Sequence, residues 1–288
     1  MQTVVVLNGE DDWGERLARR GLHVEPRRIQ DCSWVLRDGL LHVVDRTSTV
    51  VANAVLWRVG AIRMLPRYRN VIDLIRLAGV PSVNSGAVLA RCYDRLATAA
   101  EMRVAGLPII PANVAIGDGL ARRVERPRPF VVKAGNYHGG WGKSLIREET
   151  DWKELSDLLF PVDDYVVAEP FIEYVRDVRC LAIGDRLWAM SRRGRGWRAN
   201  VDTSAHALMA VPEQLAEWTR AAMRHLGADV LGLDFVETRD GTWWLLECND
   251  TPGFGGFPDE VHEALVDQLV TSVASDEKLR RGGAGETS

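Results

Sequence analysis

The stretch VLGLDFVETRDGTWWLLECNDTPG, residues 230–253, carries the reading of this chain. Val230 to Glu237 and Thr242 to Cys248 are strand-like runs on either side of the turn Arg239-Asp240-Gly241, so they form a hairpin. Asp234 lies on the first strand. Glu247 and Asn249 occupy i and i+2 of the second, which puts both side chains on one face, while Cys248 points the other way, toward a core. Pairing brings Asp234 near Glu247 and Asn249. Three oxygen-bearing side chains on adjacent apolar strands suit a hard octahedral cation held between protein and phosphates. Without a counter-ion, a buried carboxylate pair would be costly. The alternative partners are arginines, since Arg192 and Arg193 lie on a neighbouring predicted strand.

Three further groups stand before this hairpin in the chain. Phe130-Val-Val-Lys133 reads as a strand and leads into Ala134-Gly-Asn-Tyr-His-Gly-Gly-Trp-Gly-Lys143. Glycines at 135, 139, 140 and 142 let backbone amides approach an anion, and Lys133 adds positive charge at the strand end. The ending Gly142-Lys143-Ser144 is like a P-loop. That spacing, however, would need glycine where Tyr137 stands, and a strand near Ser144 to Ile146 follows rather than a helix. The segment is therefore a flap joining two strands, able to close over phosphates; with no ligand it is a glycine-rich hairpin tip. Glu169-Pro-Phe-Ile-Glu173, followed by Asp177 and Arg179, is an extended segment that can offer backbone groups to an adenine edge and a carboxylate to ribose hydroxyls. Read alone it is a solvated strand edge. Arg192, Arg193, Arg195 and Arg198 with Asn200 can neutralise a transferred phosphate and a substrate carboxylate, or form a solvated basic loop.

The rest of the chain places these groups. Val4 to Leu7, Ala54 to Arg58 and Pro81 to Asn84 are short apolar strands. Helical stretches lie at Trp13 to Arg20 and Leu65 to Ala78, and Ser33 to Asp45 reads as a hairpin, giving a parallel α/β layer over the first 85 or so residues. Ser85 caps a helix expected to run to Ala105 and to close at Gly106. Further helices are expected at Asp151 to Phe160, Pro212 to Leu226 and Val261 to Val273, and further strands at Tyr165 to Ala168, Val178 to Ile183 and Arg186 to Arg192. The domain reading is an N-terminal α/β domain at 1–86, a central subdomain with the flap at 87–168, a C-terminal subdomain with the metal site at 169–273, and a disordered tail at 274–288.

Composition bounds the function. The 288 residues carry a formal charge of −4, which disfavours a non-specific nucleic-acid binder. No apolar run approaches the ~20 residues of a membrane span, and the start of the chain lacks the pattern of a signal peptide. Four scattered cysteines, with no CxxC pair, argue against a zinc site or a disulfide framework and fit a reduced cytoplasm.

In order along the chain, these motifs resemble the ATP-grasp superfamily. The resemblance is strongest to RimK-like amino-acid ligases and to their relatives the synapsins. The synapsin likeness lies in Pro81-Ser-Val-Asn-Ser85, Val131-Val-Lys-Ala-Gly, Gly142-Lys143 and Glu169-Pro-Phe-Ile; the ligase likeness lies in Glu247-x-Asn249 followed by Pro252-Gly253. It covers about residues 80 to 270. The resemblance implies an ATP-grasp fold, α/β and α+β, in which a parallel α/β domain precedes two α+β subdomains clasping ATP. Lys133 would contact the α- and β-phosphates, and His138, Gly139, Gly140, Trp141, Gly142 and Lys143 would cover the triphosphate. Glu169, Pro170, Phe171 and Ile172 would hold adenine, with Asp177 near the ribose. Asp234, Glu247 and Asn249 would hold two magnesium ions, with manganese as a substitute. Arg192, Arg193 and Asn200 would sit at the γ-phosphate and acyl phosphate. The family's Asp-Lys pair is Asp94-Arg95 here, which keeps the charge of Arg95 and changes its geometry. His138 is a candidate base or phosphate ligand.

The implied reaction is ATP-dependent activation of a carboxylate as an acyl phosphate, then coupling to an amine or another nucleophile. Its partners would be small-molecule or peptide substrates, with no nucleic acid and no membrane, and the assembly a homodimer as in relatives. The alternatives are a synapsin-like ATP-binding regulatory protein without turnover and a phosphotransferase.

Overall fold

A computed structural model describes residues 2–9, 12–60, 63–116, 126–159, 165–194, 196–197 and 203–283. The N-terminal layer contains β1 (Thr3–Leu7), α1 (Asp12–Ala18), β2 (His23–Arg27), β3 (Ser33–Arg37), β4 (Leu40–Val44), β5 (Thr49–Ala52), β6 (Ala54–Trp57), α2 (Pro66–Ala78), β7 (Ser82–Val83) and α3 (Gly86–Arg91). Strands β2-β1-β6-β7 form a parallel sheet, as the strand–helix alternation predicts. The expected hairpin is β3-β4, and β5 extends it to an antiparallel meander.

The central unit holds α4 (Arg95–Val104), β8 (Asn113–Ala115), β9 (Phe130–Ala134), β10 (Lys143–Ile146), α5 (Glu149–Leu159) and β11 (Val166–Pro170), with the antiparallel order β10-β9-β11-β8. The single helix expected from Ser85 to Ala105 is two helices. Ser85 caps α3, the chain leaves helical geometry after Arg91, and the Asp94 side chain accepts from the Leu96 and Ala97 N–H groups to start α4.

The C-terminal unit holds β12 (Arg176–Ile183), β13 (Arg186–Gly194), β14 (Thr203–Met209), α6 (Glu213–Leu226), β15 (Val230–Glu237), β16 (Trp243–Asn249) and α7 (Glu260–Gly283). Its antiparallel sheet has the order β14-β13-β12-β15-β16. The last helix runs through Gly283, so the tail expected from residue 274 is helical to that point; Ala274 to Arg281 contains mostly residues that accept a helix readily.

Strand alternation divides this sheet into two faces. Val178, Cys180, Ala182, Leu231 and Leu233 pack with α6 and with Met102 of α4. Leu181, Ile183 and Val230 pack the opposite way, with Val261, Leu265 and Leu269 of α7 and with Val4, Val6 and Trp13. The first and last parts of the chain therefore share one core. Toward the cleft, this second face ends in Asp177, Arg179 and Asp234. Among the described residues no helix is long and apolar enough to cross a membrane.

Candidate active site

Register assembles the acids as the hairpin reading expects. Gly232 pairs with Asn249 and Asp234 pairs with Glu247, so all three candidate ligands lie on two neighbouring strands. A bulge follows Asp234: Phe235 pairs with Leu245, which leaves Leu246 as the extra residue of β16, and Leu246 lines the cleft.

Asp234 is buried and held by arginines. Arg179, its register partner on β12, donates to both of its oxygens, at 2.7 and 2.8 Å, and Arg192 approaches at 3.2 Å. The arginine pairing that the sequence left open is thus present, but Arg179 supplies most of it. Burial would raise the Asp234 carboxyl; the charges of Arg179 and Arg192 outweigh it and hold the group at about 2. Arg192 also donates to Asp177 at 2.7 Å, and there burial wins, pushing the Asp177 carboxyl up to about 6 against the pull of Arg192. The β12–β15 and β12–β13 registers that create these pairs connect distant segments, so the sequence reading named Arg179 beside Asp177 but not its pairing with Asp234. Arg193, the next residue along β13, is exposed and borders an open cavity with Glu173, Tyr174 and Trp197. Arg195, Arg198 and Asn200 lie outside the described residues.

Glu247 has looser partners: Lys143 at 3.5 Å and His138 at 3.8 Å. Burial raises its carboxyl, but Lys143, with help from Arg95 and His138, brings the net shift below the usual range. Both acids are therefore ionised at neutral pH.

The flap is seated. Asn136 accepts from the Arg95 N–H at 3.1 Å and donates to the Tyr93 carbonyl at 2.8 Å, while the Arg95 guanidinium donates to the Tyr137 carbonyl. Tyr137 in turn bridges Arg63, whose guanidinium lies 5.6 Å from its ring centre. These contacts draw His138 and Gly139 into the cleft and leave Trp141 exposed at the flap tip. Gly142 has φ of +65°, and a Cβ there would stand 3.0 Å from the Ala134 carbonyl oxygen and 3.2 Å from Tyr137. Among the described residues, Arg95 Nη1 and His138 Nε2 are buried here without a hydrogen-bond partner.

Lys133 and Glu169, on adjacent strands β9 and β11, form a close pair at 2.6 Å. Burial pulls the Lys133 ammonium down, and Glu169 restores part of the shift. This pair lies between two connected spaces. One, of about 500 Å³, is bounded by Arg95, Met102, Ile110, Lys143, Val167 and Glu247 among others. The other, of about 80 Å³, is bounded by Val131, Pro170, Phe171, Ile172, Asp177 and Leu246. The N–H of Phe171 is taken by the Pro129 carbonyl at 3.2 Å, so it is not available to a base edge. The apolar lining, Ile110, Val131 and Leu246, escaped the sequence reading because such residues look like ordinary core.

A third space, of about 220 Å³, lies on the far side of His138, between Trp57, Val59, Met64 and Ile72 of the N-terminal layer and the Asn249-Asp250-Thr251 segment. Asn249 thus faces this space rather than the larger ones. Asp250 lines it too, and burial pushes its carboxyl up to about 7.

Lys133, Lys143 and Arg95 together outnumber Glu169 and Glu247, so the lining has net positive charge suited to a polyphosphate. The orphaned Arg95 Nη1 points to the same kind of ligand. Residues 123–276 match the family described as "Synapsin, ATP binding domain". The chain is 30% identical over 226 residues to a glutamate–LysW ligase (ArgX) of Sulfurisphaera tokodaii, covering 74% of this chain and 80% of that one. It is 25% identical over 231 residues to the ligase of the same name from Sulfolobus acidocaldarius, covering 76% and 82%. The chain belongs to the ATP-grasp superfamily, in the family of the synapsin ATP-binding domain. In fold it is similar to a solved ATP-grasp ligase associated with a ribosomally made peptide in Chryseobacterium gregarium, with a TM-score of 0.69 at 14% identity, covering 94% of this chain and 97% of that one.

Proposed function

We propose that this ATP-grasp protein is an ATP-dependent carboxylate–amine ligase, which activates a carboxylate as an acyl phosphate, couples it to an amine or another nucleophile, and releases ADP and phosphate. The observation that carries the reading is the placement of ionised Glu247, paired in register with buried Asp234, in a cleft lined by Lys133, Lys143 and Arg95. Ligases among the relatives support the same chemistry.

In this reading Lys133, Lys143 and Arg95 bind the triphosphate, and residues 138 to 143 cover it and exclude water. Glu169 to Ile172 receive the adenine beside Val131 and Leu246, and Asp177 borders the ribose side while orienting Arg192. Glu247, Asn249 and Asp234 would hold two magnesium ions. Two ionised carboxylates and an amide oxygen are the donor chemistry of a hard cation, with Glu247 in the cleft and Asn249 facing the 220 Å³ space beside it. Asp234 has three close guanidinium contacts on its two oxygens, which leaves lone-pair capacity for a cation. When bound, the metal neutralises charge spreading over the transferred phosphoryl group. Arg192, Arg193 and Asn200 stabilise the same charge and the acid's carboxylate. His138, whose half-buried ring is held below its ordinary pKa by desolvation, is neutral and acts as a phosphate contact or proton acceptor. The substrates are small molecules or peptides, the assembly is a homodimer, and the location is cytoplasmic; light scattering on the purified protein tests the dimer.

The deciding experiment incubates the protein with Mg-ATP and pooled amino acids and small carboxylic acids, and follows ADP, phosphate and new masses. Carboxylate-dependent ADP formation with a condensed product, lost in Glu247→Gln, is the expected result. Tight ATP binding with no turnover across broad pools would favour the synapsin-like reading, a phosphorylated product would mean a phosphotransferase, and failure to bind ATP would overturn the assignment.

A further inference from the structure

The flap carries glycines at 135, 139, 140 and 142, and all four have positive φ. Such a loop has little conformational preference of its own, so its side-chain anchors decide where it lies. Asn136 is one such anchor, and it borders none of the three cleft spaces. It follows Gly135 directly, is 9% exposed, and commits both ends of its amide to the start of α4. Its oxygen accepts from the Arg95 N–H at 3.1 Å and its nitrogen donates to the Tyr93 carbonyl at 2.8 Å, so it grips the chain on either side of Asp94. A side-chain amide matches this spacing because it offers an acceptor and donors side by side, as a backbone peptide group does. The start of α4 is fixed from the other side as well. Asp94 caps the helix with one oxygen and accepts from the Tyr165 hydroxyl at 3.0 Å with the other. Tyr165 in turn takes the Gly135 N–H on its carbonyl at 2.7 Å.

These contacts couple the flap to one cation. Asn136 holds the Arg95 backbone, and the carbonyl of the next flap residue, Tyr137, holds the Arg95 guanidinium through Nη2. Nη1, on the same fork, is buried without a partner among the described residues, and Arg95 borders the space of about 500 Å³ together with Lys133 and Lys143. A guanidinium is planar and its donors keep a fixed relative geometry, so holding Nη2 sets the direction of Nη1. A buried donor without an acceptor is costly, and an anionic oxygen removes that cost. With the flap lifted, Arg95 would lose Asn136 and Tyr137 together, and its long side chain would regain its rotamer freedom.

We infer that Asn136 is a positioning residue: by holding the start of α4 against the seated flap it aims Arg95 Nη1 at the phosphates of the nucleotide, so that flap seating and phosphate contact occur together. The inference rests on the ATP-dependent ligase reading above and deepens it. Asn136 acts through Arg95 and does not itself touch the ligand.

A double-mutant cycle tests it by binding, without turnover. The ligands are a non-hydrolysable ATP analogue with Mg, followed by calorimetry, and adenosine, followed by ligand-observed NMR. Asn136→Ala should weaken the analogue by about tenfold, the scale of one charge-assisted hydrogen bond, and leave adenosine unchanged. Asn136→Ser, whose single short hydroxyl cannot span Tyr93 and Arg95, should act in the same direction. Arg95→Ala should weaken the analogue by about tenfold or more. Adding Asn136→Ala to Arg95→Ala should then cost less than about twofold, whereas in a Lys143→Ala background it should still cost its full tenfold or so. Retained adenosine binding shows that each variant is folded. Unchanged analogue affinity in both Asn136 variants, adenosine weakened as much as the analogue in both, or a full effect of Asn136→Ala in the Arg95→Ala background would each overturn the inference and leave the ligase reading standing. Failure of the unsubstituted protein to bind the analogue would instead sink the ligase reading, and this inference with it.

Discussion

Arg179 is the residue on which the acid cluster turns. It gives Asp234 two short hydrogen bonds and most of the positive charge that keeps a fully buried carboxylate ionised. Arg179→Leu should therefore cost about 3–5 kcal/mol in urea unfolding at pH 7, because an under-compensated charge remains buried. The sign with pH follows. In the unsubstituted protein the folded Asp234 sits at about 2, below its ordinary value, so its stabilising contribution is present above about pH 4 and is lost as pH falls through about 2. In the variant burial dominates, the folded group is raised, and protonation relieves the penalty. The stability gap between the two proteins should narrow as pH is lowered from 7 toward 4; a constant gap would mean that Arg179 acts by packing alone. Glu247 has no comparably short ion pair and is half-buried at the cleft. Glu247→Gln should leave the unfolding midpoint nearly unchanged while ADP formation falls about 100-fold or more, the scale of losing one preorganised electrostatic group.

At the scale of elements, the flap shows what conformation contributes. Gly142 sits in the left-handed region with a carbonyl and a ring against the place of its missing side chain. Gly142→Ala adds backbone strain of about 1–3 kcal/mol, which the flap can shed by lifting off the Arg95 and Asn136 contacts. The expected result is an affinity for ATP about tenfold lower, since 1.4 kcal/mol is tenfold, with the circular dichroism spectrum kept. Equal ATP affinity would mean that the seated flap is not the binding form. Elements like this one were legible because glycine spacing and apolar alternation are local signals: β9, β10, β15, β16 and the stop of α2 at Gly79 follow directly from them. The break between α3 and α4 was not, because Cys92-Tyr93-Asp94 contains neither glycine nor proline. Its signal was Asp94, an N-cap residue read only as part of a charged pair. Strands β2, β5, β8 and β14 escaped for a related reason. They are short or exposed, β2 contains Pro26, and their identity as strands depends on the neighbour they pair with. The site was legible to the same extent: motif residues, Arg179 among them, were found along their strands, whereas pairings set by register, above all Arg179 with Asp234, were not.

Over the whole molecule, one buried side chain joins the layers that the site needs. Asn84, at the end of the first parallel sheet, is 1% exposed and satisfied on every side. Its amide nitrogen donates to the carbonyls of Val230 and Asp250, each at 2.7 Å, and its oxygen accepts from the N–H groups of Asp229 and Val230 at 2.7 and 3.0 Å. The strand bearing Asp234 and the segment bearing Asp250 are thus indexed to the N-terminal layer, next to the core that Val4, Leu181 and Leu265 share. Asn84→Ala would strand two donors and two acceptors where water is scarce, a loss of about 3 kcal/mol or more. Because the core is continuous, the loss should appear as one cooperative transition at lower denaturant, followed equally by tryptophan fluorescence and by far-ultraviolet circular dichroism. Two separated transitions would mean that the N-terminal layer folds independently of the catalytic sheet.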